Sequence, residues 1–257
     1  MCVYLSNDTL TLSVSLNLNV RTVVNKYCRV TGANFPHWTL LDFLRFWALP
    51  DNHRFITGKS YLWAYKAAWL VYNKRSILAI AREEHISPLL LAGVAAAEVG
   101  GTPERLKGYG VLQFRQVIEK VTRQDNRWSN AVSVGAVAIQ LRAVAETLGL
   151  DTAQLTAFDQ FQLANCLLDN DFNLRVVARH LRQLVLYDYP QADTMNLTDE
   201  QIIVAGSRYN RGVQRNKQDF LDSIHAEKGR PEREYSSYGR RILEKRKSIE
   251  EILRLAI

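Results

Sequence analysis

The stretch Ser87-Pro88-Leu89-Leu90-Leu91-Ala92-Gly93-Val94-Ala95-Ala96-Ala97-Glu98-Val99-Gly100-Gly101 decides the fold class. Ser87 stands where an N-cap belongs, and Pro88 suits the first helical position, where a missing N–H costs nothing. From Leu89 to Val99 only Glu98 is polar, so this helix is expected to be buried on all sides, and Gly100-Gly101 ends it. A helix without a polar face needs other elements packed around it. The apolar spacing predicts helices over 38–47, 60–72, 75–84, 133–148, 157–168, 173–186, 199–207 and 235–257. Residues 102–130 read as an irregular stretch holding a loop and a short helix. The expected fold is mainly α.

One segment breaks the helical pattern. Thr9 to Val20 alternates polar and apolar residues at the period of a half-buried strand. It fits an edge strand or short hairpin packed on the domain, the preferred reading, or a strand added to another protein's sheet. The chain divides accordingly into an N-terminal extension, 1–80, with the strand and the first helices, and a larger helical unit, 81–257. The aromatic residues Trp38, Phe43, Phe46, Trp47, Trp63, Tyr65, Trp69 and Tyr72 fall at helical spacing and read mostly as core rather than as a sugar-stacking surface.

With 257 residues, 47% of them hydrophobic and 23% charged, the chain can bury a sizeable core, which excludes global disorder. The net charge of +7 favours polyanionic partners without choosing among nucleic acid, anionic membrane and cell wall. Cys2, Cys28 and Cys166 are odd in number and widely spaced, so reduced thiols are expected. The five histidines form no ligand pair, and neither a metal nor a cofactor is expected. Residues 1–20 lack the basic start and continuous apolar run of a signal peptide, and no stretch reads as a membrane span.

Glu98 is the chemical anomaly. A carboxylate in the last turn of an otherwise uncharged, buried helix is expected to have a raised pKa, through desolvation and through the negative end of the helix dipole. A carboxyl that stays protonated near neutral pH can act as a general acid. A glutamate emerging into solvent at a helix end is the plain alternative. Two later segments bear on the choice. Ser133-Val134-Gly135-Ala136-Val137-Ala138-Ile139-Gln140 sets small residues ahead of a lone glutamine, and Ala205-Gly206-Ser207-Arg208-Tyr209-Asn210-Arg211-Gly212 closes a helix with a Tyr-Asn pair and a glycine. Tyr238 to Leu243 adds a late tyrosine followed by an apolar pair.

In this order, from about Ile86 to Leu243, these pieces resemble the lysozyme-like catalytic domain of soluble lytic transglycosylases and goose-type lysozymes. The resemblance implies a lysozyme-like helical catalytic domain over 81–257 that cleaves the β-1,4 bond between N-acetylmuramic acid and N-acetylglucosamine in peptidoglycan. It makes Glu98 the catalytic acid, sets Ser133 and Gln140 along the sugar, and has Tyr209 orient Glu98, with Asn210 shaping the same wall. The sequence departs from the family at Val137-Ala138-Ile139-Gln140, where Gly-Leu-Met-Gln is usual, and the interval from Glu98 to Ser133 is long. Gly108-Tyr109-Gly110-Val111-Leu112-Gln113 is a rival match to the same motif, so Gln113 competes with Gln140.

A hydrolase of this type needs a second carboxylate, and Glu104, Glu119 and Asp125, the candidates, read as solvated surface charges. A lone acid that also serves as base fits a transglycosylase giving 1,6-anhydro ends; a water-using muramidase is the alternative. A nucleic-acid-binding helical protein and an inactive wall-binding module are rivals from other classes, although no nucleic-acid motif is present and no nucleic-acid partner is expected. Without a signal peptide, synthesis in the cytoplasm and action in the periplasm or cell wall imply specialised delivery. The preferred reading is a secreted antibacterial effector with a secretion-machine component and an immunity protein as partners; a phage lysin and a domain cut from a larger protein are the other routes.

Overall fold

A computed structural model describes residues 25–28, 36–48, 58–100, 110–122 and 126–254. The alternating segment Thr9–Val20 lies outside the described residues, as do Glu104 and Asp125. The fold is mainly α. In chain order the helices are α1 (Leu40–Ala48), α2 (Gly58–Glu83), α3 (Pro88–Glu98), α4 (Val111–Thr122), α5 (Leu141–Thr147), α6 (Ala157–Leu167), α7 (Asn170–Asp188), α8 (Asp199–Arg211), α9 (Lys217–His225), α10 (Ser237–Glu244) and α11 (Arg246–Arg254). A 3-10 helix, Pro231–Ser236, precedes α10. One two-stranded antiparallel hairpin, β1 (Ser133–Val134) and β2 (Ile139–Gln140), stands between α4 and α5.

The apolar helix α3 is the axis of the packing, in contact with α2, α7, α8, α10 and α11. Leu90 through Ala96 are buried, as its composition requires. Around it the core gathers Leu70 and Ile77 of α2, Leu174, Val177 and Leu181 of α7, Ile202 of α8 and Ile242 of α10. The surrounding helices are capped by local sequence. Thr156 and Asp159 form a capping box on α6, Thr198 and Gln201 another on α8, and Asp169 accepts from Asp171 and Phe172 at the start of α7.

Several elements differ from the sequence-based expectation. The two helices expected over 60–72 and 75–84 are one, α2, which crosses residue 80, where the division into two units was read, and gives Trp69, Leu70, Ile77 and Ile80 to the common core. Asn73 does not break it, because its side-chain amide donates back to Trp69 O at 3.0 Å and accepts from Asn170 at 3.2 Å. The expected helix 133–148 is the hairpin followed by the short α5, and the expected C-terminal helix is the 3-10 helix, α10 and α11. Of the aromatic residues, Trp38 and Trp69 are core, whereas α1 buries none of its own residues and Trp47 is 70% exposed.

The expectation of reduced cysteines is corrected: Cys28 and Cys166 form a disulfide across 138 residues of sequence, with Cα atoms 5.8 Å apart. The pairing holds residues 25–28 against α6, where Asn25 donates to Gln162 O at 2.9 Å and Lys26 pairs with Asp159. Spacing could not reveal it, because the partners meet only through tertiary structure. Among the described residues, no helix is long and apolar enough to cross a membrane.

Candidate active site

Glu98 ends α3 half-buried at the edge of a cleft of about 320 Å³. The cleft is lined by Ser133, Gln140, Arg142 and Glu146 on one side, by Tyr209, Asn210 and Arg211 on another, and by His180 and Leu184 of α7. The structure therefore brings Glu98, Ser133, Gln140, Tyr209 and Asn210 together from four separate elements. Gln113 does not join them. It lies on α4 and lines a different hollow, with Gln116, Glu119 and Asn126.

The carboxyl is held by a tyrosine, though not the expected one. Tyr238 Oη donates to Glu98 Oε1 at 2.7 Å, from the first turn of α10. Burial, and then the nearby Glu98 charge, push the Tyr238 phenol well above its ordinary range, so it remains a donor at any working pH. Tyr209 donates instead to Ala138 O at 2.9 Å, which ties α8 to the hairpin. Burial and the Glu98 charge raise its pKa as well. The two rings lie 6.4 Å apart between centroids.

A cation also stands at the end of α3. Lys66 Nζ donates to Ala96 O at 2.7 Å and Ala97 O at 2.9 Å. Desolvation lowers its pKa to about 8, against the opposing pull of Glu98. The negative pole of the helix is thus met by a lysine from α2.

The hairpin owes its shape to Gly135 and Asn173. Gly135 has φ +95°, and a Cβ there would lie 2.5 Å from Asn173 Nδ2 and 2.8 Å from Leu167 O. The Asn173 amide brackets the turn, accepting from Val137 N at 2.9 Å and donating to Val137 O at 3.1 Å. Ser133 and Gln140 become paired neighbours across the two strands, with Gln140 exposed to the cleft.

The other wall ends at Gly212, φ +79°, whose N–H donates to Arg208 O at 2.6 Å. Arg208 is buried beneath it. Its guanidinium donates to both carboxyl oxygens of Asp188, at 2.7 and 2.8 Å, and to Arg215 O at 2.5 Å, between the rings of Tyr187 and Phe220. A bidentate pair satisfied on this many sides fixes the turn that presents Asn210. His180, in the same cleft, has its pKa lowered to about 4 by burial, and its Nδ1 lies 3.2 Å from Thr147 Oγ1, so the ring is neutral at neutral pH.

Sequence reasoning missed Glu146, Arg142, His180 and Lys66, and gave Tyr238 no role. Arg142, Ala143 and Glu146 fall at helical spacing on one face of α5, but nothing in the sequence says that this face meets the cleft. Glu119, expected to be a solvated charge, is buried. Its Oε1 accepts from Trp128 N at 2.5 Å and Ser129 N at 2.9 Å, away from the Glu98 cleft. Among the described residues, no cluster of His, Cys, Asp and Glu could hold a metal ion. No protein-family model matches the chain, and comparison with curated proteins and with solved structures finds no match.

Proposed function

We propose that this protein cleaves the β-1,4 bond between N-acetylmuramic acid and N-acetylglucosamine in peptidoglycan, with Glu98 as the acid that protonates the glycosidic oxygen. The observation that carries the reading is the half-buried Glu98 carboxyl, oriented by Tyr238 at 2.7 Å and facing a cleft that also holds Ser133, Gln140, Tyr209 and Asn210. A general acid needs a fixed direction towards the leaving oxygen and a site that limits water, and a buried phenol donor beside a cleft serves both. Glu98 then returns as base to take the proton from the C6 hydroxyl, which attacks the anomeric carbon and closes a 1,6-anhydro ring.

Glu146 favours a second reading. It is a further carboxylate in the same cleft, exposed on α5, and in a muramidase it would activate water or stabilise the sugar cation. Digestion of purified sacculi followed by mass spectrometry of the fragments tests both. Anhydro ends are the expected product, reducing ends assign the muramidase route, and the absence of soluble fragments overturns the function.

The Cys28–Cys166 disulfide supports a final location in an oxidising compartment, in keeping with a periplasmic or cell-wall substrate. The proposal extends to a secreted antibacterial effector whose producer carries a cognate immunity protein.

A further inference from the structure

The cleft does not end at Glu98. It shares Asn210, Arg211 and Gln214 with a second, shallower hollow, so one groove continues around the end of α8. That continuation adds only Arg215, Asn216 and Asp219, and so is polar throughout. Four arginines border the groove, and two of them are already engaged. Arg208 is buried in its pair with Asp188, and Arg215 lies 3.4 Å from Asp219 and 3.8 Å from the centre of the Tyr235 ring.

Arg142 and Arg211 are different. Both are exposed, one on α5 and the other on the last turn of α8. Arg142 makes a long contact, 3.5 Å, with Gln140 Oε1, and Arg211 donates to Glu234 O at 2.7 Å and lies 5.7 Å from the centre of the Tyr235 ring, farther out than Arg215. Neither forms an ion pair among the described residues. Among the described residues, each leaves most of a five-donor guanidinium fork without a hydrogen-bond partner beside the groove, a shape that matches carboxylate. A glycan strand alone offers hydroxyls and acetamides; the peptide arm on each muramyl residue adds carboxylates.

We propose that Arg142 and Arg211 bind the carboxylates of the peptide arm, so that the protein selects strands whose peptides carry free acid groups. The inference rests on the peptidoglycan reading. The positions suit this role. Arg142 follows Gln140 by two residues and Arg211 adjoins Asn210, so a strand laid past Glu98 brings its side arm within reach of one or both.

The test uses peptide-bearing glycan strands in two forms, untreated and with their carboxylates converted to amides by carbodiimide and ammonia. The wild-type protein is expected to cleave the untreated strands about 10-fold faster in kcat/KM, mostly through KM, with the preference shrinking as salt rises. In the double variant Arg142→Gln/Arg211→Gln the preference falls towards one, and Arg142→Lys/Arg211→Lys keeps part of it. Equal wild-type rates on both forms, or a preference that survives the double glutamine variant, overturns the inference and leaves the peptidoglycan reading standing. No cleavage of either form by the wild-type protein overturns both. Thermal melting of the variants confirms that these exposed substitutions leave the fold intact.

Discussion

Glu98 and Tyr238 stand on helices that interlock through missing side chains, whereas Ser133 and Gln140, across the same cleft, stand on a hairpin shaped by one amide. On the first wall, a Cβ at Gly239 would collide with Ile203 O, and one at Gly93 would collide with Ile242 Cγ2. The backbones of α8 and α10 therefore meet directly, α3 lays its backbone against the Ile242 side chain of α10, and Glu98 and the phenol bonded to it ride on these helices. The second wall has two-residue strands, with Asn173 bracketing the turn and Tyr209 reaching over to Ala138. The contrast fits the proposed role of each wall. A group that transfers a proton tolerates displacements of only about 0.5 Å, so it belongs on rigid elements. Groups that line a polymer can sit on a thinner element, provided that something pins it.

The comparison is broken most severely by removing the acid while leaving its wall intact. Glu98→Gln keeps the shape of the side chain and can still accept from Tyr238, so stability should change by less than about 1 kcal/mol. Release of soluble fragments from sacculi should fall by about 10³-fold or more. Retained cleavage by a folded variant would remove Glu98 from the mechanism.

Asn173→Ala attacks the other wall. It deletes both bonds to Val137 and opens space beneath Gly135, at an expected cost of about 2–3 kcal/mol in chemical denaturation. Ser133 and Gln140 lose their register beside the substrate, and kcat/KM should drop by about 10²-fold. If stability and rate both hold, the hairpin does not depend on this amide, and the two walls differ less than their geometry indicates.

How much of this was legible depends on how far apart the deciding partners are in sequence. The axis helix could be read because every residue from Leu89 to Val99 except Glu98 is apolar or small, with Pro88 and Gly100 marking its ends. The starts of α6 and α8 carry their own capping boxes. The hairpin could not be read, since Val134, Ala136, Val137 and Ala138 look helical in isolation, and Asn173, 36 residues away, decides otherwise. Asn73, buried within α2, accepts from Asn170, 97 residues away, and the disulfide joins positions 138 apart. The site follows the same rule. Glu98, Ser133, Gln140, Tyr209 and Asn210 were found as an ordered set of motifs, and they share one cleft. Which tyrosine reaches the acid was a matter of how α8 and α10 cross, and no local pattern in Tyr209 or Tyr238 encodes that crossing.

Tyr238→Phe makes the smallest and sharpest cut, because it removes one oxygen from the rigid wall and moves no backbone. Glu98 keeps its place on α3 but loses the donor that fixes its direction, so kcat should fall about 10-fold with KM little changed. A purely structural role for Tyr238 would lower stability and leave kcat in place. Tyr209→Phe supplies the contrast, since its hydroxyl serves Ala138 on the hairpin: its effect should appear in KM, with kcat little changed. Should the two variants exchange these signatures, the proposed division between a wall that performs the chemistry and a wall that reads the substrate would be reversed.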